Sequence, residues 1–149
     1  MLIRIYTDGA CSGNPGKGGY GTILIAQDDN GQIHKKELTE GFKVTTNNRM
    51  ELLAAIVGLE ALKKPCDVEL TSDSKYLVDA FNQKWVDGWI KKGWKGANKQ
   101  PVKNQDLWQQ LDELNSNLNV EWNWVKGHAG IEYNEICDQL CQKEIAKNR

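Results

Sequence analysis

From Asn47 to Leu62 the chain carries a helical pattern that is apolar almost all the way round, and this segment restricts the fold more than any other. Met50, Leu53, Ala54 and Val57 recur at helical spacing along one side, while Leu52, Ile56 and Leu59 cover a second. Such a helix has no broad polar face to give to water, so other elements must enclose it on most sides. Thr46 or Asn47 supplies the cap that starts it, and "KKPCD" at Lys63 stops it. One acid, Glu51, sits in its otherwise apolar first turn.

The rest of the chain supplies the enclosure. Strand patterns precede the helix at Leu2 to Thr7, Gly19 to Ala26 and roughly Lys35 to Phe42, with Asp28 to Gly31 as a hairpin turn. After it come a strand at Val68 to Thr71 and helices at Ser74 to Asn82 and Lys84 to Lys92. A loop broken by glycines and Pro101 leads to a helix at Gln105 to Leu114, a strand at Val120 to Val125 and a last helix to about Lys147. The order βββαβ, then helices, then βα predicts the α/β class, a five-stranded mixed sheet with helices on both faces. With 149 residues, 40% of them hydrophobic and 26% charged, one domain over residues 1–149 is expected. No apolar run approaches the roughly 20 residues that span a bilayer, so no membrane partner is expected. The first residues enter a strand pattern directly, without the apolar core of a secretory signal, which predicts a cytoplasmic protein. Cys11, Cys66, Cys137 and Cys141 lack zinc-ligand spacing with histidine and fit reduced thiols.

Four acids are hard to justify structurally. Asp8 follows the run Ile3 to Tyr6 just before a glycine-rich turn, Asp73 closes the strand "DVELTSD", and Glu51 occupies the apolar helix. Asp138 falls on a helix otherwise faced with Ile136, Cys137, Leu140 and Cys141. Buried acids are rare unless paired or bound to a cation. Parallel pairing of the first and fourth strands would make Asp8 and Asp73 neighbours, with Glu51 reaching them from the helix between. Carboxylates so gathered repel one another and call for a positive ion among them, and magnesium suits an all-oxygen set. The glycines Gly16, Gly18, Gly19 and Gly21 join two strands rather than a strand and a helix, so they are not a dinucleotide fingerprint.

A net charge of −1 gives no bulk attraction for polyanions, but its distribution does. Lys84, Lys91, Lys92, Lys95, Lys99 and Lys103 face the single acid Asp87, interleaved with Trp85, Trp89 and Trp94. Lysines that neutralise phosphates beside indoles that stack on sugars or bases make a nucleic-acid-binding surface. Trp108, Trp122 and Trp124 are expected in the core, and His34 on an exposed strand without a role.

These residues resemble type 1 ribonuclease H, the family that cuts the RNA strand of an RNA/DNA hybrid. The likeness runs through "YTDGACSGNPGKGGYG" at Tyr6, "TTNNRMEL" at Thr45, "TSDSKY" at Thr71 and "GWK" with "PVKNQDLW" between Gly93 and Trp108. It continues through "WVKGHAG" and "NEICDQL" from Trp124 to Leu140. The resemblance implies the ribonuclease H-like fold, a monomer, and a hybrid as partner. It implies that Asp8, Glu51, Asp73 and Asp138 bind metal and that His128 assists proton transfer or product release. It implies further that Asn14, Asn47 and Asn48 meet the RNA strand in the minor groove, and that Thr46 and Asn104 hold a DNA phosphate. Trp85, Trp89 and Tyr76 would line the DNA channel. Val44 stands where many members carry a phosphate-pocket arginine, and the segment from Asp73 to Trp85 is one residue longer than in some relatives.

The implied chemistry is in-line hydrolysis with two Mg²⁺ ions per site in the presence of substrate, Mn²⁺ being a possible substitute. Asp8 would bridge both ions, Asp73 and Glu51 would serve the leaving group, and Asp138 with a bound water the nucleophile. Repulsion among the acids predicts raised pKa values and activity at neutral to alkaline pH. A binding module without catalysis is disfavoured by the intact acids, which repel phosphate. An exonuclease or integrase-like nuclease of the same fold is disfavoured by the asparagine pair, the basic segment and "GHAG".

Overall fold

Two long strands, β1 (Leu2–Gly13) and β2 (Gly16–Gln27), form an antiparallel hairpin, and β3 (Ile33–Thr45) continues the meander. The computed structural model describes residues 2–96, 98–127 and 132–147. The chain then runs through α1 (Asn47–Glu60), β4 (Asp67–Ser72), α2 (Lys75–Asn82), α3 (Trp85–Lys91), α4 (Gln105–Asn117), β5 (Asn119–Trp124) and α5 (Glu132–Lys147). The sheet order is β3-β2-β1-β4-β5, with β4 parallel to both β1 and β5. The sheet is mixed, as the sequence predicts, and β1 and β4 meet the condition of parallel pairing under which Asp8 and Asp73 become neighbours.

The α1 helix starts where Thr46 Oγ1 accepts the Arg49 amide at 3.3 Å. Its apolar sides are enclosed as expected: Leu52, Ile56 and Leu59 join Ile5, Val68, Leu70, Leu77, Trp108, Leu111 and Trp122 in one core between the sheet and helices α1, α2 and α4. The Thr22 hydroxyl donates to the Ala54 carbonyl at 2.7 Å, which fixes α1 against β2. On the opposite face α5 buries Cys137 and Cys141. The Cys137 thiol donates to the Tyr6 carbonyl at 3.3 Å, and the Tyr133 ring lies 5.0 Å from that of Tyr6. All four cysteines are free, and burial pushes the Cys137 and Cys141 thiols up, away from reactive thiolate.

Two expectations need correction. The glycine-rich stretch is strand rather than turn: β1 runs on past Asp8, and β2 begins at Gly16. Glycine serves close approach here, since a Cβ on Gly21 would stand 2.7 Å from the Cys137 carbonyl oxygen of α5. Trp124 is not in the core but 42% exposed, unlike Trp108 and Trp122. It shares a strand face with Trp122 but stands at the end of β5, where its indole N–H donates to the Asp73 carbonyl at 2.9 Å and Lys75 Nζ lies 4.7 Å from its ring.

Candidate active site

Register decides where the acids meet. Thr7 pairs with Ser72 at the end of the β1–β4 ladder, so Asp8 and Asp73 follow from adjacent, parallel strands. There β4 stops while β1 continues, and the first turn of α1 fills the freed edge. The Gly9 amide donates to Glu51 Oε1 at 2.8 Å and to Asp8 Oδ1 at 2.9 Å, and Ser72 Oγ donates to Glu51 Oε2 at 3.4 Å. Only glycine admits this approach, because a Cβ at residue 9 would lie 2.5 Å from the Glu51 nitrogen.

Asp8, Glu51 and Asp73 each present a carboxylate oxygen, all within 4.8 Å of one another. Asp8 is 7% and Glu51 3% exposed. Burial first, then the charge of Asp73, pushes Asp8 up to about 7. Burial first, then Asp8, holds Glu51 well above the usual carboxylate range. Acids kept this far from their ordinary ionisation are compensated once a cation sits among them, and an all-oxygen donor set suits a hard divalent ion. Asp138, half-buried on α5, lies outside this group of three but adds its charge to the forces raising Asp8. His128 lies outside the described residues.

The substrate-contact candidates form a surface around the N-terminus of α1. Asn14, at the β1–β2 turn, accepts the Asn47 amide through Oδ1 at 3.2 Å, tying the hairpin tip to α1, where Asn47 and Asn48 stand exposed and Thr46 caps. Asn104 precedes α4 with φ 60° and donates to the Tyr76 hydroxyl at 3.2 Å, which also accepts Trp108 Nε1 at 3.1 Å. The link between these two groups is Arg49, which sequence reasoning missed: its guanidinium donates to Asn104 Oδ1 at 3.2 Å and grips both Asp106 oxygens at 3.1 and 2.8 Å. Ser72 and Gly9 were missed as well, and nothing in their local sequence marks them as carboxylate donors. Trp85 is exposed, whereas Trp89 packs 6.4 Å from Trp94 and 5.3 Å from Trp108. The six lysines of the basic segment are all exposed.

A mixed sheet with carboxylates gathered where β4 ends against the continuing β1, in a chain that also carries an exposed basic segment, has the make-up of a metal-dependent nuclease. A family model described as RNase H matches residues 2–146. A ribonuclease H of Shewanella amazonensis is 58% identical over 95% of this chain and 86% of its own length. One of Acetivibrio thermocellus is 56% identical over 98% and 96% respectively. Among solved structures, LC9-RNase H1, a type 1 RNase H with the type 2 active-site motif, superposes with a TM-score of 0.88 at 32% identity, covering 99% of this chain and 74% of that one. LC11-RNase H1 in complex with an RNA/DNA hybrid gives a TM-score of 0.69 at 25% identity over 97% of both chains. The chain belongs to the RNase H family.

Proposed function

We propose that this protein is a single-domain endonuclease that hydrolyses the RNA strand of RNA/DNA hybrids, leaving 5′-phosphate and 3′-hydroxyl ends, with Mg²⁺ held by Asp8, Glu51, Asp73 and Asp138. The observation that carries the reading is the approach of three acid oxygens to within 4.8 Å in a chain whose relatives are ribonucleases H. Divalent ions, when bound there, activate water and stabilise charge on the leaving 3′-oxygen. In this reading Asp8 would serve both sides of the reaction, Glu51 and Asp73 the leaving group, and Asp138 with a bound water the nucleophile. The Gly9 amide and the Ser72 hydroxyl keep Glu51 aimed at this point.

Hybrid selection follows from the surface around α1. The amides of Asn14, Asn47 and Asn48 donate and accept, which matches a 2′-hydroxyl that does both. Thr46 and Asn104 take a DNA phosphate, while Trp85, Trp89 and Tyr76 favour deoxyribose. Contacts of this kind carry little base information, so cutting is largely sequence-independent. His128 assists proton transfer or product release. The enzyme acts as a cytoplasmic monomer on RNA primers and R-loops, and no described helix is long and apolar enough to cross a membrane.

Incubation with Mg²⁺ and matched RNA/DNA, RNA/RNA and DNA/DNA duplexes tests this reading, with Asp8→Asn as control. Internal cuts confined to the RNA of the hybrid, and lost in the variant, are expected. Binding without cutting would replace the enzyme with a recognition module. Mn²⁺ in place of Mg²⁺ is expected to support cleavage.

A further inference from the structure

Trp124 is 42% exposed, yet its indole N–H is directed at the acid cluster, donating to the backbone carbonyl of Asp73 at 2.9 Å. β4 ends at Ser72, so this carbonyl lies beyond the β4–β5 ladder, whose last register pair is Ser72 with Trp124. The same peptide unit is held at its other end, where the Ser74 amide donates to Ser72 Oγ at 3.0 Å. Two side chains therefore fix one peptide plane. That plane sets the backbone torsion of Asp73, and with it the direction in which the carboxylate leaves the chain.

The segment leaving β5 packs on the same acid. The Val125 amide donates to the Ser72 carbonyl at 3.0 Å, and a Cβ on Gly127 would stand 2.9 Å from Asp73 Oδ2. Trp124 begins a stretch that backs Asp73 from its main chain to its carboxylate. Lys75 steadies the ring, with Nζ 4.7 Å from the centroid. Any residue with a backbone amide and carbonyl can close a strand. What the indole adds is a donor with no acceptor and no charge, which suits a carbonyl beside three acids.

We infer that Trp124 is a positioning residue for the divalent metal, whose indole N–H acts through the Asp73 carbonyl to hold the Asp73 carboxylate where Asp8 and Glu51 also present an oxygen. Those oxygens lie within 4.8 Å of one another, so a turn of the Asp73 backbone would open the donor set with every acid still in place. The inference deepens the hydrolytic reading above and rests on it.

The test uses Trp124→Phe, which keeps an aromatic ring beside Lys75 without the N–H, and Trp124→Leu, which removes both. Three quantities are measured on each and on the wild type: thermal unfolding without metal, Mn²⁺ binding to the free protein by electron paramagnetic resonance, and steady-state hybrid cleavage over a range of Mg²⁺. Both variants are expected to melt within about 4 °C of the wild type, since one partly exposed hydrogen bond is lost. Both should bind Mn²⁺ about tenfold more weakly and need about tenfold more Mg²⁺ for half-maximal rate, with KM for hybrid unchanged at saturating Mg²⁺. A lowered melting temperature with wild-type Mn²⁺ affinity would make the indole structural and overturn the inference. Weakened Mn²⁺ binding in Trp124→Leu alone would assign the effect to the ring rather than the N–H, and a change confined to KM would make Trp124 a substrate contact; either overturns it too. Wild-type protein that cuts no hybrid would sink the functional reading itself, whereas an active wild type matched by both variants in Mn²⁺ affinity and Mg²⁺ requirement would sink this inference alone.

Discussion

The amide of Gly9 donates to Glu51 Oε1 across 2.8 Å, and a side chain at residue 9 would intrude to 2.5 Å from the Glu51 nitrogen. One glycine thus both bonds the helix acid and leaves room for the helix that carries it. Gly9→Ala is expected to push the first turn of α1 off β1, at a cost of about 1–3 kcal/mol in stability. Displacing Glu51 by even about 1 Å should lower single-turnover cleavage by roughly 100-fold. Denaturant unfolding and hybrid cleavage measure the two effects, and a Gly9→Ala enzyme with full activity would show that the approach is not needed.

Asp8 and Glu51 make the metal-free protein sensitive to pH in a defined direction. A carboxyl whose pKa rises on folding keeps a proton that the unfolded chain has already released. Stability is therefore present at acid pH and lost as pH climbs from 3.8 through about 7 for Asp8, with Glu51 acting in the same sense. Without divalent metal the protein should be measurably less stable at alkaline than at mildly acidic pH, and Mg²⁺ should restore the difference. Asp8→Asn should remove much of the alkaline penalty, by at most about 4 kcal/mol given 1.36 kcal/mol per pKa unit, while abolishing cleavage. Denaturant titrations at both pH values, with and without Mg²⁺, check this. Equal metal-free stability at the two would contradict it.

Periodicity made α1 and the succession of strands and helices legible in the sequence, whereas the sheet order β3-β2-β1-β4-β5 was not, and the meeting of Asp8 with Asp73 was conditional on parallel pairing of the first and fourth strands. The extent of β1 and β2 was not legible. Glycine ordinarily punctuates strands, and only the backbone of α5 passing over Gly21 shows why it persists within one. Trp124 misled for a related reason: pattern places it on the same face as Trp122, but whether helices cover that end of β5 is a tertiary fact. Arg49 escaped notice because its partners, Asn104 and Asp106, lie far along the chain, and no local spacing records such a contact.

Trp85 and Trp89 are four residues apart yet differently placed, and their truncation should separate binding from folding. Trp85 is 39% exposed, so Trp85→Ala should leave stability within about 0.5 kcal/mol. Loss of a ring proposed to line the DNA channel should still weaken hybrid binding by about 1–3 kcal/mol. Trp89 packs on Trp94 and Trp108, and Trp89→Ala should cost roughly 2 kcal/mol of stability, through lost packing. Calorimetry and anisotropy on the pair give the comparison. The assignment of Trp85 fails if its removal leaves hybrid affinity unchanged.

Arg49 joins the start of α1 to the start of α4, and its contribution should appear in binding more than in folding. Its ion pair with Asp106 is open to solvent, with side chains 34% and 59% exposed, so breaking it should cost less than about 1 kcal/mol. Asn104, by contrast, is held at φ 60° with its side-chain carbonyl accepting from Arg49 and its amide donating to Tyr76, and it is the residue proposed above to take a DNA phosphate. Arg49→Ala frees one side of that amide and should raise KM for hybrid about tenfold while kcat changes little, since only ground-state and transition-state binding in common is lost. Arg49→Lys should fall between, because an ammonium cannot hold Asn104 and both Asp106 oxygens in one plane. Arg49 acts through Asn104, so the two substitutions should not add: in an Asn104→Ala background, Arg49→Ala should cost little more. Steady-state kinetics on the four proteins of this cycle decide the matter, and strictly additive losses would mean that Arg49 meets the substrate by itself.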